Sequence, residues 1–197
     1  MRLLSETLKE ETQTAHQRVE RIVIKQIKEI DTKDDYINLL NKFYAFYKGV
    51  EDVIFPYLEQ NAVASELCSR RSSMILDDLK VLGQAFPNSQ LRSTPIPQNF
   101  EEALVAQYVL EGSSLGGRYI AQMLQKKGIQ EGLTFFLGDK EDFMSHWQIF
   151  KNFLNSIDAI DEFPRLINYT NAIFTYFGLI MDESYQLEDA ELNSNLI

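Results

Sequence analysis

An all-α, single-domain bundle of about six to eight helices is the fold class this sequence predicts. Three observations lead there. Apolar residues recur every three or four positions along nearly the whole chain, the spacing of one helix face. No segment alternates residue by residue as a half-buried strand does, and no internal repeat is visible. The 197 residues, 45% hydrophobic and 12% aromatic, suffice for one core without a disulfide or metal staple.

The elements follow in order. Leu4, Leu8, Thr12, Ala15, Val19 and Ile22 lay one apolar face over about residues 5–29. Thr32 and Asp35 have the spacing of a capping box. Tyr36, Leu39, Leu40, Phe43, Phe46, Tyr47, Val50 and Ile54 continue as a strongly apolar stripe, which Pro56 should kink or end. Leu67, Met74, Ile75, Leu79 and Leu82 predict a third helix stopped by Gly83. Residues 87–99 carry three prolines and read as a loop. Phe100, Leu104, Gln107, Tyr108 and Glu111 lead into GSSLGGRYIAQMLQKKG, which Gly128 should terminate. Phe143, Trp147, Phe150, Leu154 and Ile157 predict one more helix, and Phe163, Leu166, Ile167, Thr170, Phe174, Phe177 and Met181 the last. The domain is expected to span 1–182, with 183–197 an acidic tail that frays.

Charge and cysteine content narrow the function classes. A net charge of −10 argues against nucleic acid or an anionic membrane as partner. No run of about 18 apolar residues occurs. Cys68 is the only cysteine, which fits a reducing compartment. A soluble cytoplasmic protein is expected. No C-x-x-C pair, phosphate loop, G-x-G-x-x-G or Glu-x-x-His unit is present, and the G-x-S-x-G spelling at 112–116 lies between helical runs rather than in a strand-to-helix elbow, which disfavours thiolate zinc, nucleotide, di-iron and hydrolase-elbow chemistries.

Gly112-Ser113-Ser114-Leu115-Gly116-Gly117 breaks the helical rules. Each glycine inside a helix costs about 1 kcal/mol relative to alanine. Gly112 and Gly116 lie four apart, on one face. Three readings stand: a flat ligand against a kinked helix, close packing of another helix, or a loop. His16 follows the apolar face of the first helix, with Glu20 one turn on. It is either a metal ligand whose other N–H meets Glu20 or a core-edge imidazole bonded to Glu20. His146, the other histidine, reads as a surface or packing residue near Asp139, Glu141 and Asp142. Arg18, Arg21, Lys25 and Lys28 form a basic stripe, either a solvated face or a dock for an acidic electron donor.

Two segments carry a family resemblance. LKEETQTAHQRVE (8–20) is similar to the haem-ligand segment of haem oxygenases: a lysine, a histidine seven residues on, a glutamate four further. YVLEGSSLGGR (108–118) resembles the distal glycine helix of the bacterial, phytochrome-associated type. Segments 36–58, 69–79, 146–154 and 171–179 add support, so the likeness covers about residues 5–181.

The resemblance implies that His16 ligates haem iron and that Glu20 orients it. It matches Lys9 to a haem propionate contact. Lys151 stands where the family has an arginine, keeping the charge without the bidentate fork. Gly112, Gly116 and Gly117 match the distal helix over the ring; Thr12, Val19 and Phe174 match the pocket wall, and Tyr108 a further contact. Mammalian-type members have an aspartate after the first distal glycine, where this chain has Ser113. Backbone and hydroxyl groups, including those of Ser113 or Ser114, would then hold the distal water. The implied reaction cleaves haem, both cofactor and substrate, with O2 and external electrons to biliverdin, CO and iron. Without a flavin or nicotinamide fingerprint, the electrons must come from a partner such as a ferredoxin or reductase. The rival expectations are a haem carrier or sensor on the same fold, and a thiamine-degrading or quinone-forming relative.

Overall fold

The densest apolar stripe of the sequence becomes the longest helix, and the others gather round it. The computed structural model describes residues 2–87, 93–138, 143–182 and Tyr185. Its helices are α1 (Leu4–Glu11), α2 (Gln13–Glu29), α3 (Lys33–Leu58), α4 (Ala62–Leu67), α5 (Ser72–Val81), α6 (Phe100–Ser113), α7 (Gly117–Lys126), α8 (Thr134–Leu137), α9 (Phe143–Ser156) and α10 (Phe163–Met181). Short 3₁₀ turns at Ser114–Gly116 and Ile160–Glu162 lead into α7 and α10. Among the described residues there is no strand. Eight of these helices have eight or more residues, and α4 and α8 are short turns. The all-α expectation therefore holds.

Local chemistry sets the boundaries. Thr32 and Asp35 close the capping box at the start of α3: Asp35 N–H donates to Thr32 Oγ1, and Thr32 N–H donates to Asp35 Oδ2 at 2.8 Å. That bonding holds the Asp35 carboxyl below its ordinary value. Pro56 lies in the last turn of α3, which ends at Leu58. Gly83 and Gly128 take φ of +90° and +88°. Each closes a Schellman stop, with Gln84 N–H on Leu79 O and Ile129 N–H on Leu124 O.

The first helix differs from its expectation of one rod. It breaks at Thr12 (φ −108°, ψ 5°) into α1 and α2. Thr12 Oγ1 donates to Leu8 O at 2.7 Å, a back-bond that bends helices. The third expected helix is also two, because residues 68–71 are extended or turned between α4 and α5.

The core is aromatic. Phe46 stacks on Phe177 at 3.9 Å, while Phe43 meets Phe135, Phe136 and Phe177 near edge-on or tilted. Helix α6 is buried on every side between α3 and α10, so its neighbours rather than its own amphipathicity keep it helical. Buried carboxylates finish helix ends. Glu51 accepts from the N–H groups of Arg71 and Ser72 at the start of α5. Asp78 accepts from Thr134 N–H at 2.9 Å and Phe135 N–H at 2.8 Å at the start of α8.

Residues 88–92, within the expected loop, and Asp139, Glu141 and Asp142 lie outside the described residues. So does the expected tail, except for Tyr185. That ring is buried over Gly178, with the Arg18 guanidinium 4.0 Å from its centroid.

Replacing Asp78 by Ala strands two N–H groups at the start of α8, that of Phe135 buried. The expected loss is about 2–4 kcal/mol in urea unfolding with an unchanged m-value. A loss under about 0.5 kcal/mol would contradict this role for the carboxylate.

Candidate functional site

The Thr12 bend starts α2 four residues before His16, and His16 N–H continues the ladder onto Thr12 O at 3.0 Å. The imidazole is exposed and meets Phe174 of α10 edge-on, with centroids 5.6 Å apart. Among the described residues neither ring nitrogen has a hydrogen-bond partner. Glu20 is exposed too, and the turn-spanning bond that its spacing suggests is not made. His16 is therefore no core-edge residue satisfied by Glu20. Thr12, Val19 and Phe174 are buried beside it, with the Thr12 hydroxyl proton already given to Leu8 O. Lys9 is exposed on α1.

The glycine stretch is helical throughout. Ser113, Ser114, Gly116 and Gly117 all keep right-handed helical angles, so the loop reading fails. The α6–α7 axis tightens there into a 3₁₀ turn. Ser113 Oγ donates to Val109 O at 2.7 Å and Ser114 Oγ to Leu110 O at 3.4 Å. Both hydroxyl protons are thus committed to the helix, and each oxygen keeps lone pairs for accepting.

The three glycines differ in role. A Cβ at Gly116 would meet nothing within 4 Å, so the backbone there is bare. At Gly112 it would lie 3.6 Å from the Trp147 indole, an ordinary contact. At Gly117 it would overlap the Phe136 carbonyl oxygen. Gly117 thus serves close packing of α7 on α8. Close packing accounts for Gly117, while the backbone at Gly116 is left uncovered.

Trp147 was missed as anything but core. On α9 it covers the flank of Gly112 and tilts against the half-buried Tyr108 at 5.3 Å. Lys151, one turn on and half-buried, places Nζ 5.7 Å from its ring centroid. A large aromatic one turn before the matched cation was the available signal. Burial raises the Tyr108 phenol above its ordinary value.

Other expectations shift. Arg18 leaves the basic stripe to donate to Tyr185 O at 2.8 Å; Arg21, Lys25 and Lys28 stay exposed. His146 is half-exposed and stands 4.0 Å from the buried Glu111 carboxylate, so it is more than a surface residue. Helix α10 packs against both α2 and α6, which carry the imidazole and the glycine stretch. Two grooves, of about 470 and 500 Å³, lie elsewhere. One runs along α10 by Pro95 and Asn171, and the other lies between α2, α3 and the end of α10. The described residues hold no cluster of three metal-ligating His, Cys, Asp or Glu. A metal carried in its own planar macrocycle needs few protein ligands. A free imidazole and a bare helix surface fit such a planar group.

Fold and site together define an all-α bundle that offers one unpartnered imidazole and one helix surface cleared of side chains. The family model for heme oxygenase matches residues 2–183. The heme oxygenase of Xanthomonas campestris is 33% identical over 112 residues, covering 55% of this chain and 66% of that protein, just under two thirds of its length. The NO- and CO-bound heme oxygenase of Neisseria meningitidis has the same fold, with a TM-score of 0.75 at 20% identity over 94% of both chains. Heme oxygenase-1 from the cyanobacterium Synechocystis, in complex with heme, gives 0.73 at 16% over 100% of both. The chain belongs to the heme oxygenase family.

The glycines provide a test of opposite sign. Gly116→Ala should leave stability unchanged or raise it by up to about 1 kcal/mol. Gly117→Ala should lower it by about 1–3 kcal/mol through overpacking. Urea midpoints measure both, and equal losses would contradict the distinction.

Proposed function

We propose that this chain degrades haem, using O2 and external electrons to form biliverdin, CO and iron. The observation that carries the reading is the exposed, unbonded His16 imidazole on α2, set against Phe174, with bare backbone at Gly116. Bound haem would supply the iron at which O2 is reduced and the macrocycle that is opened.

The chain's own residues supply grip and orientation. His16 would hold the iron through an imidazole nitrogen, a donor without the electron push of a thiolate. Glu20, one turn along, is spaced to take the imidazole's second N–H once a ligand orders the ring. Val19, Thr12 and Phe174 form the wall behind it, and Tyr108 with Trp147 the flank at Gly112. Lys9 and Lys151 are point charges for the propionates. At Gly112 and Gly116 the helix comes close to the ligand with peptide groups alone. Ser113 and Ser114 have spent their protons on Val109 O and Leu110 O, so they hold a distal water by accepting from it. That assigns to hydroxyl lone pairs what an aspartate does elsewhere in the family.

Electrons come from a partner such as a ferredoxin or reductase. Arg21, Lys25 and Lys28 form an exposed basic strip on a chain of net charge −10, which suits an acidic donor. Among the described residues no helix is long and apolar enough to cross a membrane. The lone buried Cys68 favours a reducing compartment, and we place the protein in the cytoplasm.

Hemin added to the protein should give a Soret band that decays under ascorbate as a bilin spectrum grows. A stable band with no bilin would favour a carrier instead. In His16→Ala the axial-imidazole signature should disappear while the urea midpoint stays within about 0.5 kcal/mol of the parent, because the side chain is exposed. An unchanged haem spectrum would remove His16 as the ligand.

A further inference from the structure

Behind the glycine stretch lies a polar cluster that the reading above does not use. Glu111 precedes Gly112 and is 2% exposed. Its Oε1 accepts from Gln107 Nε2 at 2.8 Å, and its Oε2 lies 4.0 Å from His146 Nε2. Gln107 is wholly buried, yet its Oε1 has no partner among the described residues; nor does the buried Arg71 Nε. An orphan acceptor and an orphan donor mark places for water in the cluster.

The charged and titratable groups facing Glu111 come from three sides: Tyr47 on α3, Cys68 and Arg71 between α4 and α5, and His146 on α9. Glu51 faces Tyr47 from the same helix. Burial holds the Glu111 carboxyl above the ordinary carboxylate range, while the Gln107 bond, His146 and Arg71 pull it down. An apolar side chain would fill this space at lower cost. The Tyr47 hydroxyl donates to Leu110 O at 3.2 Å, two residues before Gly112. The His146 side chain is 36% exposed and connects the cluster to solvent.

Resting on the haem-degrading reading, we propose that Glu111 is a proton store for the glycine stretch, refilled from solvent through His146. Reduction of O2 to water takes up one proton for each electron, and those electrons come from the external donor. The water held at Ser113 and Ser114 needs its protons replaced, and the buried Glu111 beside Gly112 is a source for them. Each delivery converts Glu111 from carboxylic acid to carboxylate, which Arg71 stabilises. The His146 imidazolium then returns a proton, and solvent reprotonates the imidazole. Glu111 acts through other groups and is a positioning residue, not one that touches substrate.

Infrared spectra of the ligand-free protein test the store directly. The parent should keep a carboxylic C=O band at neutral pH that Glu111→Gln removes, with any Glu51 component unaffected. His146→Ala should keep the band and slow its exchange in D2O several-fold. With hemin bound, Glu111→Gln should keep its affinity within twofold but turn over about tenfold more slowly, within the span of acid–base effects. Only the acid form donates, so the parent rate should fall as pH rises through the raised Glu111 value. The glutamine variant should lose that limb, and Glu111→Asp should restore it. A neutral-pH carboxylic band that Glu111→Gln leaves undiminished, or an unchanged pH profile, overturns the proposal. Failure of the parent to bind hemin would overturn the haem reading as well, whatever the infrared result.

Discussion

The glycine turn between α6 and α7 stays helical only because its surroundings hold it. Three glycines in six residues would cost an isolated helix about 3 kcal/mol. Helix α6 is locked between α3 and α10 along its whole length, and Gly117 sits on the Phe136 carbonyl. Rigidity on the packed side permits bareness on the other. A backbone presented without side chains at Gly116 would be useless if it frayed, and α7 resumes at once with its back against α8.

The opposite stretch depends on the same helix bundle. The Thr12 back-bond bends the chain so that α1 packs toward α9 and α10 while α2 lies on α10. His16 is held by backbone position and by the edge of Phe174, with no polar partner fixing its ring. Arg18, two residues on, is clamped over the Tyr185 ring, and that ring fills the notch left by Gly178. Tyr185 therefore ties down the helix that carries the imidazole. Free nitrogen atoms on a fixed backbone are what a ligand-binding imidazole requires.

Much of this was legible from residue order. The three-to-four spacing located the helices, Thr32 with Asp35 marked a start, and Gly83 and Gly128 marked stops because only glycine takes those angles cheaply. What stayed hidden depended on contacts distant in sequence. Gly116 and Gly117 are adjacent and identical as letters, and only Phe136 distinguishes them. Trp147 obeys the core period of α9, so only its place one turn before Lys151 hinted at its second duty beside Gly112. The His16–Glu20 spacing allowed a bond that the exposed side chains do not form. His146 looked solitary because its partner, Glu111, lies on another helix.

The account rests on a planar metal ligand lying between the α2 imidazole and the bare Gly116 backbone. A crystal structure of the hemin-loaded protein measures this directly. It should place iron within bonding distance of a His16 nitrogen, with the peptides of Gly112 and Gly116 across the opposite face. Hemin seated instead in the α10 groove by Asn171, or ligated by His146, would contradict the account.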